Sequence, residues 1–375
     1  MNDYKLYSDC LNFPLDKPCK YQKDENMTCG KCPHYSSVSK KDSSITKILI
    51  IKLGAMGDVL RTTFVLEGLK EKYKNIQIDW LVDKRNSEVL QGNPYINNIA
   101  VNDSKVFDFL TSHKYDFAVN LDLSPESLSF TALSLADNKI GYTLDDKRNI
   151  KTSNAFAAEW LLTSAYDDLK KANTKTYQHW MAKISEIKDV PYEIIVPISK
   201  EARSKALSFK SGVNISKGKV IGINPGAGKR WKMKKWNVEK YVELIKILSA
   251  KGHTVLLLGG KDDEEEIKEI LSHKIPGVFS TGTDNLVQEF FAMIDLCDII
   301  VCGDTMAMHA GLGLKKNIVA LFGPTSSNEI ELYSRGEKIT AEGCNCCYRP
   351  ECLHDVSCMD KIKVETVLKA VEKYI

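Results

Sequence analysis

The chain has 375 residues, 43% of them hydrophobic and 27% charged, which suits a globular protein of about two domains at roughly 100–200 residues each. Its 52 Lys and Arg stand against 49 Asp and Glu, a formal charge of +3, so no general attraction to nucleic acid or an anionic membrane is expected and any anion site must be local. No apolar run approaches the roughly 18 residues of a membrane span, and the opening MNDYKLYSDCLNFPLDK lacks the apolar stretch of a signal peptide; a cytoplasmic location is expected, with contact at the inner face of the membrane compatible with it.

Residues 1–45 are polar, rich in Lys and Asp, and without helical or strand periodicity, so they bury little core of their own. They carry Cys10, Cys19, Cys29 and Cys32, the last pair at the two-residue spacing of zinc knuckles. Cytosolic thiols are held reduced, which disfavours disulfides. The expectation is therefore a structural zinc standing in for a core, with iron or an iron–sulfur cluster as the alternatives and plain reduced thiols as the bland reading.

From residue 47 short apolar runs alternate with amphipathic segments. KILIIKL (47–53), IQIDWLV (76–82), NNIAV (97–101) and YDFAVNLDL (115–123) read as strands, and TTFVLEGLKEKY (62–73) as a helix with Phe64, Leu66 and Leu69 on one stripe. After a mixed stretch with a helix at 176–187, the alternation restarts at VIGIN (220–224), HTVLLLGG (253–260), GVFST (277–281), DIIVCG (298–303) and NIVALFG (317–323). Helices are expected at 237–250, 262–272, 285–296 and 305–314. This is the pattern of an α/β protein with parallel β-α-β units. The spacing predicts a module at 1–45 and two doubly wound domains, 46–200 and 201–375, facing across a cleft, with ligands beyond the carboxyl ends of the strands.

Three motifs fall at such ends. In KLGAMGD the turn is Gly54-x-x-Gly57, not the G-x-G-x-x-G of a dinucleotide site, which disfavours NAD. Asp58, at a helix start, reads either as a general base for an acceptor hydroxyl or as an N-cap. In NPGAGKRWKMKKW, backbone N–H groups at Gly226, Ala227 and Gly228 lie beside Lys229, Arg230, Lys232, Lys234 and Lys235, a composition for binding a diphosphate; a solvated basic loop is the alternative, against which Trp231 and Trp236 argue. In GDTMAMHAG, Asp304 and Thr305 follow a buried strand and His309 lies on a small-residue helix. Cys297 and Cys302 read as ordinary buried thiols.

Together, KLGAMGD, NPGAG with KKW, LLGGKDDEE and GDTMAMHAG, in this order over residues 47–375, resemble glycosyltransferase family 9, the ADP-heptose:lipopolysaccharide heptosyltransferases and their relatives. The resemblance implies a GT-B fold of two Rossmann-like domains and inverting transfer of a sugar, heptose foremost, from an ADP-linked or similar donor. The acceptor would be a hydroxyl of a cell-envelope glycan, a lipid-linked glycan or a protein. It implies Asp58 as base, Gly54, Gly57 and Arg61 on the acceptor side, and Gly226, Ala227, Gly228, Lys234, Glu264, Asp304, Thr305 and His309 around the donor. Lys234 would neutralise donor phosphate and Glu264 hold the nucleotide ribose. No catalytic divalent ion is expected, because Lys234 and backbone N–H groups can stabilise the leaving diphosphate. The N-terminal cysteine module is a departure from the familiar heptosyltransferases. Near the other end, Cys344, Cys346, Cys347, Cys352 and Cys358 resemble the cysteine finger at which some relatives hold iron, and Cys344, Cys347, Cys352 and Cys358 are a second candidate ligand set. Two rival readings of the same motifs are a zinc-stapled nucleotide- or nucleic-acid-binding protein without catalysis and a GT-B sugar-nucleotide epimerase. The oligomeric state is not legible.

Overall fold

The computed structural model describes residues 5–8, 10–14, 17–36, 45–213, 215, 218–344, 346–349, 352 and 356–375. Strands β1 (Thr46–Ile51), β2 (Ile76–Asp83), β3 (Asn98–Asn102), β4 (Lys114–Asn120), β5 (Leu135–Leu144) and β6 (Ile150–Thr152) form one sheet in the order β3-β2-β1-β4-β5-β6, parallel except for β5 against β6. Strands β7 (Val220–Asn224), β8 (Thr254–Leu257), β9 (Val278–Ser280), β10 (Ile299–Gly303), β11 (Asn317–Phe322) and β12 (Gly336–Thr340) form a second, parallel throughout, in the order β12-β11-β10-β7-β8-β9.

The central strands are apolar because helices cover both faces of each sheet. Ile48, Leu49, Ile50 and Ile51 are wholly buried, and every residue of β7 and β10 is buried. Each sheet starts in its middle: β1 has β2 on one side and β4 on the other, and β7 lies between β8 and β10. Winding therefore reverses there, which opens a crevice at the carboxyl ends of β1 and β7.

The helix expected at 62–73 is Val65–Lys72, and the helix expected to start near Asp58 is a separate one, Met56–Thr62. Between them the Thr63 hydroxyl donates to Leu60 O at 2.7 Å and accepts from Ile195 N at 2.9 Å, tying the break to the segment that links the two domains. Phe64, Leu66 and Leu69 are buried as the stripe predicts. So is Gly68, where a Cβ would stand 2.5 Å from Ile187 Cδ1. The strand expected to reach 123 stops at Asn120, where Asp122 turns back toward β1. Among the described residues no helix is long and apolar enough to cross a membrane. None of the described residues of 5–36 is buried, although the module folds into a helix at Lys20–Glu25 and a 3-10 turn at Cys29–Lys31.

Candidate functional site

The first wall of the crevice follows β1. The helix Met56–Thr62 is preceded by Ala55, whose methyl cannot cap it, and Asp58 lies inside the first turn. The cap reading of Asp58 therefore gives way: its side chain leaves the helix end and Oδ1 accepts from Arg61 Nη2 at 2.8 Å. The Arg61 guanidinium lies 3.8 Å from the centre of the Tyr177 ring, and the Tyr177 hydroxyl shares a 2.7 Å hydrogen bond with Thr62 Oγ1. Behind them the buried Lys52 ammonium stands 3.6 Å from Asp122 Oδ2, which also accepts from Leu53 N at 3.0 Å and Gly54 N at 3.5 Å. One carboxylate at the end of β4 thus clamps the turn that carries Asp58.

The charges in this wall hold one another ionised. Burial disfavours the Asp58 carboxylate, yet Arg61, Lys52 and His309 outweigh it and keep its pKa below the ordinary range. Burial likewise opposes the cations, while Tyr177, Asp122 and Asp58 raise Lys52, and Asp58 and Tyr177 raise Arg61. The Asp58 side chain remains 38% exposed, so a second molecule can reach it.

The second wall is a cradle. After β7 the chain runs through Gly226, where a Cβ would stand 1.6 Å from Asp263 Oδ1, and Gly228, whose φ of +67° suits glycine. Lys234 Nζ donates to Asp304 Oδ2 at 2.7 Å, the Thr325 hydroxyl donates to the same oxygen at 3.0 Å, and Thr305 Oγ1 donates to Asn224 Oδ1 at 3.0 Å. Burial opposes ionisation of Asp304, but Lys234 foremost, with His309 and Arg61, brings its pKa down to about 2. Trp231 packs under Lys234, its ring centre 5.2 Å from Nζ, and Trp236 is buried with Nε1 donating to Ile362 O at 3.1 Å. Lys235 is paired with Glu266. The side chains of Lys229, Arg230 and Lys232 lie outside the described residues.

Between the walls is a cavity of about 860 Å³. Ala55, Met56 and Gly57 line it from the first wall, and Gly226, Ala227, Gly228, Lys234, Asp304 and Thr305 from the second. Gly57 lies close against the second wall: a Cβ there would stand 3.3 Å from His309 Cδ2 and 3.6 Å from Met306 Cα. His309 lies behind this contact, buried, and burial followed by Arg61 lowers its pKa to about 4, so it is neutral at pH 7. Five expected residues do not line the cavity: Gly54, Asp58 and Arg61, which lie beside its first wall, His309, and Glu264, whose Oε1 faces Lys268 Nζ at 2.6 Å on the outer surface. Asp263 lines it instead. Its Oδ2 accepts from Gly260 N at 3.0 Å, its buried Oδ1 has no hydrogen-bond partner, and burial raises its pKa. Gly54 abuts Asn86, with Asn86 Nδ2 3.1 Å from where a Cβ would be.

Sequence reading missed Lys52, Asp122, Tyr177 and Asp263. A faint signal for the first two was present, since each is a charged residue at the carboxyl end of an apolar strand.

Cys10, Cys19, Cys29 and Cys32 all line one cavity of about 360 Å³ within the N-terminal module. Near the other end Cys344, Cys346, Cys347, Cys352 and Cys358 are half-buried, and burial followed by Cys344, Cys347 and Cys352 raises the Cys358 thiol to about 12. Among the described residues no three His, Cys, Asp or Glu side chains are gathered closely enough to hold one metal ion. Cys297 and Cys302 are buried, which pushes both thiols far up, as inert core residues.

Residues 105–359 match Glycosyltransferase family 9 (heptosyltransferase). Lipopolysaccharide heptosyltransferase 1 of Campylobacter coli is 22% identical over 347 residues, covering 87% of this chain and 98% of that one. The crystal structure of the glycosyl transferase family 9 from Veillonella parvula superposes with a TM-score of 0.72 at 18% identity, over 88% of this chain and 97% of that one. The dodecameric iron-containing heptosyltransferase TibC of enterotoxigenic E. coli, solved in complex with ADP-D-β-D-heptose, gives 0.54 at 12% identity over 88% and 77%.

Proposed function

The chain belongs to glycosyltransferase family 9, with the two-domain GT-B fold of that family, and from that premise we propose that it transfers heptose from an ADP-linked donor to a hydroxyl of a cell-envelope glycan or protein, at the cytoplasmic face. The observation that carries this reading is the opposition of the two walls. A solvent-reachable carboxylate, Asp58, stands on one, directly after the residues Ala55, Met56 and Gly57 that line the cavity, and a glycine cradle with Lys234 and Asp304 lines it from the other.

In this reading residues 46–200 receive the acceptor and residues 201–375 the donor. The diphosphate rests on the N–H groups of Gly226, Ala227 and Gly228 and on Lys234, which turns from Asp304 toward it. Asp263, which lines the cavity where Glu264 does not, takes the ribose hydroxyl that Glu264 was expected to hold. The acceptor oxygen attacks the anomeric carbon as its proton passes to Asp58. The bond from that carbon to the diphosphate oxygen breaks in the same step, and configuration inverts. Asp58 is a weak base while Arg61 and Lys52 face it bare; substrate that displaces water from the crevice raises its pKa toward a useful value. Lys234 and the loop N–H groups act on the charge that develops on the leaving group. The cysteines of the N-terminal module form one metal centre with a structural role.

The test is a thermal-shift series against nucleoside diphosphates and nucleotide sugars, followed by product analysis with ADP-heptose and candidate acceptors. A native-state ligand raises the melting temperature. Stabilisation by ADP and ADP-heptose with inverted product supports the reading. Consumption of donor without an acceptor, yielding an altered nucleotide sugar, overturns it.

A further inference from the structure

Asp58 cannot take up a proton without affecting Arg61. Once protonated, it no longer offers a charge to the guanidinium that its Oδ1 holds at 2.8 Å. The Arg61 side chain is only 13% exposed, and a buried cation that loses its partner is costly. A second carboxylate that takes over this cation therefore stabilises the protonated form of Asp58 and makes it a stronger base.

Glu329 is placed for this. The segment after β11 meets residues 173–177 of the other domain, where Glu329 O accepts from Tyr177 N at 2.9 Å and Asn328 Nδ2 donates to Asn173 O at 3.2 Å. Tyr177 is also the residue whose ring lies 3.8 Å from the Arg61 guanidinium, so a single residue joins Arg61 to Glu329. The Glu329 side chain is held as well. Tyr348 donates its hydroxyl to Glu329 Oε1 at 2.9 Å, and the same hydroxyl oxygen accepts from Ser326 N at 3.2 Å, which fixes the direction of that hydrogen. Tyr348 is fastened in turn, its N on Pro324 O at 2.8 Å and Lys170 Nζ 3.8 Å from the centre of its ring. Against the burial that opposes it, the Arg61 cation is supported by Asp58 first, then by Tyr177, Glu329 and Asp304. Of the two further carboxylates Asp304 is already committed, since one of its oxygens takes both Lys234 and Thr325.

We propose that Glu329 is a positioning residue for the transfer: as Asp58 accepts the acceptor's proton, the Arg61 guanidinium turns from Asp58 to the Glu329 carboxylate. The O–H bond of the acceptor breaks and its proton comes to rest on Asp58, which becomes neutral, while Arg61 and Glu329 both keep their charge. This rests on the reading of Asp58 as the base. It goes beyond that reading by naming the group that lets a carboxylate paired with an arginine act as one.

The experiment follows ADP release from ADP-heptose by the full chain, with deacylated, heptose-free lipopolysaccharide as acceptor and, in a parallel series, with water alone. Glu329→Gln keeps the shape of the side chain and can still accept from Tyr348, but it has no charge. Its kcat should fall by about ten- to a hundredfold, the scale of a hydrogen bond to a charged group. Donor KM and the calorimetric affinity for ADP should stay within about twofold of the parent's, which also shows that the variant is folded. Glu329→Asp, which restores the charge, should recover part of the loss. In an Arg61→Met background Glu329→Gln should change kcat by less than about twofold, because no guanidinium is left to take over. Parental kcat in Glu329→Gln overturns the proposal. So does a loss that Glu329→Asp does not recover, or one that persists in the Arg61→Met background, since a residue that only holds the segment 324–329 in place acts without Arg61. Parental turnover in Asp58→Asn, or no ADP release by the parent in either series, removes the base itself and is thereby told apart from a failure of Glu329 alone.

Discussion

The two walls of the cleft are built from the same plan and carry opposite kinds of surface. Each follows a strand in the middle of a sheet, β1 on one side and β7 on the other, whose carboxyl-terminal half is buried. After β1 the chain turns at once into a helix, and its charges are packed against one another: Asp58 on Arg61, Arg61 on Tyr177, Lys52 on Asp122. After β7 it takes a longer path through glycines, leaving a hollow with one lysine held on Asp304 at its floor. The difference teaches that accepting one proton needs a single fixed group, whereas holding a diphosphate and its sugar needs room and many weak donors. The shape of each wall follows from the task proposed for it.

The comparison is broken most directly at Asp58. Asp58→Asn should lower turnover at saturating donor by about 10²–10⁴-fold while leaving ADP affinity by calorimetry near the parent's. Near-parental turnover would remove the proton acceptor from the first wall. On the other side Lys234→Ala should weaken ADP by roughly ten- to a hundredfold, the scale of a hydrogen bond to a charged group. Because it also strips Asp304 of its partner, melting temperature must be recorded beside affinity, and unchanged affinity would take Lys234 out of the donor site.

A smaller effect sharpens the picture within the second wall. Asp263→Asn should weaken ADP by about three- to tenfold, a neutral hydrogen bond's worth, and Glu264→Gln should change it less than twofold. The reverse ranking would give the ribose to Glu264. The smallest effect at neutral pH belongs to His309. Its folded pKa of about 4 lies below the ordinary 6.5, so the native state binds fewer protons than the unfolded chain between those values. The resulting stability is complete above about pH 6.5 and is lost as pH falls toward 4. Over that window the parent should lose a few degrees more of melting temperature than His309→Gln; equal losses would show that the imidazole is not buried neutral.

Much of this was legible in the chain because parallel strands covered on both faces read as unbroken apolar runs, as in Ile48–Ile51 and Ile299–Cys302. The strands β5, β6 and β12 were not, since LADNKIGYTL, IKT and GEKIT lie toward the sheet edges and mix exposed polar residues with few apolar ones. The candidate site was half legible. Glycines and charges at strand ends mark where a ligand goes, but the pairing of Lys52 with Asp122 joins residues 70 positions apart through neighbouring strands, which no local pattern encodes. The exchange of Asp263 for Glu264 at the cavity is a matter of one residue, decided by the 3-10 turn Lys261–Asp263 that rotates the start of the following helix.

The near-contact of Gly57 with His309 and Met306 has a kinematic consequence. When two bodies rock about the place where they touch, points close to that place hardly move and points far from it sweep through large arcs. Here the touching place is one residue from Asp58 and lies beside Asp304 and Thr305. Rocking of the two domains about it, which also has to break the 2.7 Å hydrogen bond from Gln288 Nε2 to Gln91 O, would change the separation of Arg85 and Lys261 on facing sides of the cleft more than that of the groups at the fulcrum. A side chain larger than glycine at position 57 would act as a wedge at that fulcrum, and its effect would be magnified at the rim.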